Sequence, residues 1–354
     1  CTYQGVQSGC GPTSYKPLRG VLYRNLGGGK FQDVSASWSL EDYAGRTLGV
    51  AAAPSPENGR PLLAIADDET AGGLFELRGT QTRNIGIESG MATAGGQFYG
   101  GMGIDWGDYN NDGRLDLVIA TYQNQGKLVL RRQAAGFEIQ DTGALGMFSS
   151  LPYVAFGVKW LDFDNSGWLD LLFANGHVED NADSMATFGA VGGQKYRQPI
   201  ILYRNLRGRS FQDVSSQLAG GAATPIVGRG LAIGDYDNDG RMDALIVNNE
   251  GAPVLLHNIC AHPGHWLEIR LRGVRSNSDG IGALVTAQTA SGRFTRLCTT
   301  GGSYLSASDR RVHIGLGSAT KARLTIQWPS GVTSSLTVAH LDRVLTIAES
   351  GSSR

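Results

Sequence analysis

The residues of this chain best able to do chemistry lie in one nine-residue pattern, clearest at Asp235-Tyr236-Asp237-Asn238-Asp239-Gly240-Arg241-Met242-Asp243. Side-chain oxygens stand at positions 1, 3, 5 and 9, and glycine stands at position 6. Four carboxylates this close repel one another unless a cation lies among them. A hard cation such as Ca²⁺ takes six to eight oxygens at short range, and a turn of this kind supplies several from one loop. Glycine allows the backbone reversal that a side chain would obstruct. The residue at position 7 would add its carbonyl oxygen.

The pattern recurs. Asp108-Tyr109-Asn110-Asn111-Asp112-Gly113-Arg114-Leu115-Asp116 and Asp162-Phe163-Asp164-Asn165-Ser166-Gly167-Trp168-Leu169-Asp170 keep the same spacing. For one copy a solvated acidic turn is the lesser of two readings; three copies at one spacing strengthen the metal reading. Three Ca²⁺ sites are therefore expected. Asp108, Asn110, Asp112 and Asp116 form the first, with the Arg114 carbonyl. Asp162, Asp164, Ser166 and Asp170 form the second, with the Trp168 carbonyl. Asp235, Asp237, Asp239 and Asp243 form the third, with the Arg241 carbonyl. The last acid falls at position 9, not at position 12 as in an EF-hand, and the flanks read as strands.

The elements that must position these loops are themselves repeated. A glycine precedes each loop by five residues, at Gly103, Gly157 and Gly230, and an apolar strand follows each. A degenerate copy, Gly49 to Leu62, keeps both glycines but has Pro54, Pro56 and Leu62 at ligand positions, so it should bind no metal. The position-6 glycines Gly59, Gly113, Gly167 and Gly240 recur at intervals of 54, 54 and 73 residues. Between the loops lies a second motif. Leu22-Tyr23-Arg24-Asn25-Leu26 runs into Phe31-Gln32-Asp33-Val34-Ser35, and Leu202-Tyr203-Arg204-Asn205-Leu206 runs into Phe211-Gln212-Asp213-Val214-Ser215. Each pair reads as a hairpin with a glycine-containing turn. About four short strands per unit, repeated, read as propeller blades. The extra length of the third unit falls between Ala174 and Pro199, as a long loop between two strands.

Near Cys260 the pattern stops. Trp266-Leu267-Glu268-Ile269-Arg270-Leu271-Arg272 alternates strictly and opens a new run of strands with no acidic loop, expected to form a β-sandwich. The fold class is all-β, with propeller blades over residues 1–258 and a sandwich over 259–354.

The 354 residues suffice for two domains with substantial cores, and the 51 glycines suit many short strands and tight turns. A net charge of −1 points to neither nucleic acid nor an acidic membrane surface. No apolar run is long enough to span a bilayer. The cysteines fall in two local pairs, Cys1/Cys10 and Cys260/Cys298, without zinc-ligand spacing. Two disulfides in an oxidising compartment are expected, four free thiols being the other reading. The leading Cys1 implies processing or a fragment boundary; a lipidated N-terminal cysteine is a competing reading.

These loops, with their leading glycines, resemble the FG-GAP/VCBS repeats of β-propellers. The segments Arg275-Ser276-Asn277-Ser278-Asp279-Gly280, Gly301-Gly302-Ser303-Tyr304, His313-Ile314-Gly315-Leu316-Gly317 and Trp328-Pro329-Ser330-Gly331 resemble the ASPIC/UnbV domain. The pairing is similar to bacterial secreted proteins related to cartilage acidic protein. The resemblance implies a calcium-binding module that is secreted, periplasmic or on the cell surface, with a propeller of about seven blades. This chain has four repeats and the end of a fifth. Its first and last blade faces should therefore pack on other polypeptide, either partner chains or further blades of the same protein.

Two function classes follow. One is a non-catalytic scaffold that binds protein or glycan. The other is a secreted carbohydrate-active lyase or hydrolase, for which Glu179, Asp180 and Asp183 beside His177 would supply paired carboxylates. A polar surface loop explains those residues equally well. His257, His262 and His265 have spacing that a transition metal could use, or form a solvated linker.

Overall fold

The computed structural model describes residues 1–3, 6–55, 59–134, 136–182, 195–261 and 263–350. Among these there is no α-helix, and no helix long and apolar enough to cross a membrane. The strands form mostly antiparallel sheets. Besides two minimal strand pairs, Thr2–Tyr3 with Val6–Gln7 and Leu18–Arg19 with Ala44–Gly45, there is a hairpin, β1 (Tyr23–Gly27) with β2 (Lys30–Asp33). Three four-stranded blades follow: β3 (Thr47–Pro54), β4 (Pro61–Asp67), β5 (Gly73–Arg78) and β6 (Gln81–Asn84); β7 (Gly101–Gly107), β8 (Asp116–Thr121), β9 (Leu128–Arg132) and β10 (Phe137–Gln140); β11 (Ala155–Leu161), β12 (Asp170–Asn175), β13 (Ile201–Asn205) and β14 (Phe211–Asp213). A fourth blade has three strands, β15 (Gly228–Gly234), β16 (Asp243–Asn248) and β17 (Val254–Leu256).

Each blade is buried against the next because its strands are apolar on both faces. Ala64, Leu74, Ile104 and Leu117 close the first contact, Val118, Val158, Trp160 and Phe211 the second, and Leu172, Ile200, Leu231 and Ile246 the third. The leading glycines explain how closely the blades approach. Strand pairing slips beside each of them, at Gly49, Gly103, Gly157 and Gly230. A Cβ on Gly49 would lie 2.1 Å from the Met102 carbonyl oxygen of the next blade, and one on Gly103 would lie 2.2 Å from that of Phe156. Only glycine admits backbone that near.

At Gly230 the neighbour is no blade. It is Ser306 of the C-terminal domain, whose Oγ would lie 2.7 Å from an added Cβ. That domain is a sandwich of two sheets, β21–β18–β24 and β20–β19–β22–β23. Its strands are β18 (His265–Arg272), β19 (Leu284–Gln288), β20 (Arg293–Leu297), β21 (Val312–Gly317), β22 (Ala322–Gln327), β23 (Thr333–Val338) and β24 (Arg343–Ala348). Leu267, Val285, Ile314 and Leu324 lie in the core between them. The segment between β20 and β21 runs along the first strands of three blades in turn. Ser303 donates its amide to Ile104 O (2.7 Å), its Oγ accepts from Val158 N (3.3 Å), and Asp309 N donates to Ile233 O (3.0 Å). Beneath it, Lys159 Nζ lies 2.8 Å from Asp105 Oδ1 and donates to Gly301 O, with both charges buried.

The hairpin and the outer blades keep apolar surface uncovered. Tyr23 is 61% and Phe31 62% exposed, and Val50, Leu245, Val247 and Leu255 are exposed on the first and last full blades.

One expectation is corrected here. Cys1 and Cys10 form a disulfide, but Cys260 and Cys298 are free. The Cys298 thiol lies in the sandwich core, 3.6 Å from the carbonyl oxygens of Asp279 and Arg310. Burial pushes that thiol up to about 12. Cys260 lies instead in the linker, its amide held by Asn258 beside the third acidic loop.

Candidate metal centre

Every loop folds around its first acid. In the third, Asp235 accepts the amides of Asp239 (3.1 Å) and Gly240 (2.7 Å). Asp108 holds Asp112 and Gly113 in the same way, and Asp162 holds Ser166 and Gly167. Position 4 takes a left-handed conformation each time, with φ of 55°, 56° and 62° at Asn111, Asn165 and Asn238; asparagine tolerates this better than most residues. The position-9 acid begins the second strand of its blade and ties the loop to the end of the third. Asp116 accepts from Arg132 N, Asp170 from Asn205 N and Asp243 from Asn258 N, each at 2.7 Å.

Carboxylate oxygens converge within 4.8 Å of one another in the sets Asp162/Asp164/Asp170 and Asp235/Asp237/Asp239. The first set is wholly buried. The first loop forms no such group of three acids among the described residues, since Asn110 replaces an acid at position 3. Burial, above all, drives the acids toward the protonated form without a cation: Asp108 to about 7, Asp116 to about 8, and Asp170 well above its ordinary value. The nine-residue loops offer oxygen donors, buried in the second loop and partly exposed at Asp112 and Asp237 in the other two, and backbone amides hold the first acid of each in place, so the set fits a hard divalent cation. Arg114, Arg204 and Arg241 sit at the rims, paired with Asp112, Asp164 and Asp239.

The sequence reading missed several partners. His257 Nδ1 lies 3.3 Å from Asp243 Oδ1 and 3.9 Å from Asp237, making a second convergent group at the third loop. His265 pairs instead with Asp342, and His262 lies outside the described residues. Asn205 donates to Tyr109 O and Asn258 to Phe163 O, stitching each blade to the loop of the blade before it. Its signal was present as the shared Asn25 and Asn205 of the hairpin motif. Of the insertion residues, Glu179 is engaged by Ser8 Oγ and Gly9 N of the N-terminal segment, and its own amide donates to His177 Nδ1. Asp183 lies outside the described residues.

Residues 108–173 and 162–246 match the FG-GAP-like repeat family, and residues 273–354 match the ASPIC and UnbV family. The chain carries FG-GAP-like repeats followed by an ASPIC/UnbV domain. It is homologous to cartilage acidic protein 1, at 25% identity over 325 residues in Xenopus tropicalis (89% of this chain, 47% of the relative) and 25% over 316 in Homo sapiens (87% and 44%). The Mus musculus relative is 26% identical over 317 residues (87% and 45%). The chain thus spans less than half the length of the curated relatives it matches. A solved Agrocybe aegerita lectin, specific for non-reducing terminal N-acetylglucosamine, overlaps 68% of this chain and 60% of its own at 15% identity and a TM-score of 0.36. The second and third acidic loops of the repeats meet the C-terminal domain in one interface.

Proposed function

We propose that this chain is a calcium-rigidified, non-catalytic interaction module that works outside the cytoplasm. The observation that carries the reading is the buried Asp162/Asp164/Asp170 set, three converging carboxylates with Arg204 on Asp164 and Arg296 beside Asp162 as the cations paired with them among the described residues. Such a cluster costs stability unless a divalent ion occupies it, and millimolar calcium is an extracellular condition. The Cys1–Cys10 disulfide supports an oxidising compartment. Asp108, Asn110, Asp112 and Asp116 serve the first ion, Asp162, Asp164, Ser166 and Asp170 the second, and Asp235, Asp237, Asp239 and Asp243 the third.

The partners we propose are further blades of this kind. Asn25 occupies the place of Asn205 in its hairpin, but it is exposed, and among the described residues its side-chain amide reaches no acidic loop. Thermal unfolding in calcium and in chelator tests the calcium reading. A midpoint several degrees higher in calcium supports it, and identical midpoints contradict it.

A further inference from the structure

The three metal loops are joined to one another and to the sandwich. Asn111, at position 4 of the first loop, donates its side-chain amide to Gly167 O of the second (3.0 Å). Asn165, at position 4 of the second, donates to Gly240 O of the third (2.9 Å). Among the described residues no further acidic loop follows that of Asn238. Asn238 Oδ1 accepts instead from Arg311 Nη1 of the sandwich (2.6 Å), while Arg311 Nη2 donates to Asp235 O (2.5 Å).

The sandwich takes its footing on the same turns. Arg296 donates to Gly167 O (3.0 Å), Gly264 N to Asp164 O (2.8 Å) and Gly317 N to Asn165 O (2.8 Å). The fit is close enough that a Cβ on Gly315 would lie 2.1 Å from Asp162 Oδ2, and one on Gly240 would lie 1.8 Å from the Trp266 ring. The outer carbonyls of a turn are aimed by whatever fills its centre. A cation fixes the turn; uncompensated acids push it apart.

We propose that cation occupancy of the second and third loops controls docking of the ASPIC/UnbV sandwich onto the blades. With the loops loaded, the carbonyls of Asp164, Asn165, Gly167 and Asp235 are held where the sandwich needs them. With the loops empty, the interface loosens although each domain keeps its own core. Coupling of this kind is reciprocal, so the docked sandwich tightens the second and third sites by the factor that calcium tightens docking. The inference rests on the calcium reading above and adds its regulation.

Hydrogen–deuterium exchange of the full chain in millimolar calcium and in EGTA tests it, with calcium binding measured by calorimetry on the same preparation. The amides of Gly264, Ser303, Asp309 and Gly317, which donate across the interface, should slow roughly tenfold or more with calcium. Those of Val285 and Leu324, inside the sandwich, should change little. An Asn238→Gly variant keeps the left-handed turn and its backbone amide at Asp235, removes no proposed ligand and takes away one acceptor of Arg311, whose bonds to Asp235 O and Asp309 remain. It should weaken the third site by roughly fivefold or more and leave the first unchanged. Calcium binding with equal exchange at the interface in both buffers overturns the coupling alone. No calcium binding overturns the calcium reading and this inference with it.

Discussion

Asn205 donates its side-chain amide to the carbonyl oxygen of Tyr109 at 2.9 Å, so the third strand of one blade anchors the acidic loop of the blade before it. Asn258 repeats the contact with Phe163 O at 2.8 Å. The blades are therefore joined at their loop ends by polar bonds as well as through their apolar faces. Asn25 has the same sequence context and no such partner among the described residues.

A chain with those faces uncovered should associate. Tyr23, Leu26 and Phe31 at one end, and Leu245, Val247 and Leu255 at the other, make apolar surfaces that soluble monomers seldom leave open. Sedimentation should show concentration-dependent self-association, and a hydrophobic dye should bind. A compact monomer that excludes the dye would contradict the proposed contact edges.

The Asp105–Lys159 pair beneath the Gly301–Asp309 segment should be costly to break. Both side chains are buried, and Asp105 also accepts from Trp160 N at 3.0 Å. Asp105→Ala should cost about 3–5 kcal/mol, because it strands a buried ammonium. Breaking the exposed Arg83–Glu88 pair should cost less than about 1 kcal/mol. Chemical denaturation of the two variants checks the contrast; equal losses would refute it.

Stability without metal should fall as pH rises. Unfolded aspartates titrate near 4, whereas burial lifts folded Asp108 to about 7 and Asp116 to about 8. Between about 4 and 8 the folded chain holds protons that the unfolded chain has released, so rising pH favours unfolding. Calcium, replacing those protons, should remove the decline. Denaturant midpoints at several pH values in EGTA and in calcium measure this, and a chelated protein that gains stability toward pH 8 would contradict it.

The cysteines should separate cleanly by mass spectrometry. A non-reduced digest should contain Cys1 linked to Cys10, with Cys260 alkylated in the native protein and Cys298 alkylated only after unfolding. A Cys260–Cys298 peptide would overturn the assignment of free thiols.

Sequence spacing made the repeats legible because a metal loop is chain-local: nine consecutive residues carry the whole acidic pattern, and the glycines mark where it turns. The same spacing could not show why Gly103 and Gly157 are glycines, since the atoms that exclude a side chain belong to the next blade. Nor could it show that Arg296 and Arg311 reach the second and third loops from more than 70 residues away. Pairing Cys260 with Cys298 failed for a related reason. Cysteine number and proximity in the chain say nothing of the core packing that turns the Cys298 thiol toward Asp279 and Arg310.

The most direct test of the central claim is the metal content of the protein. After equilibrium dialysis against calcium with excess magnesium, elemental analysis should find three calcium ions per chain, one for each loop. Asp162→Asn and Asp235→Asn should each remove one of them. A wild-type protein that carries no calcium above the dialysis buffer would contradict the account.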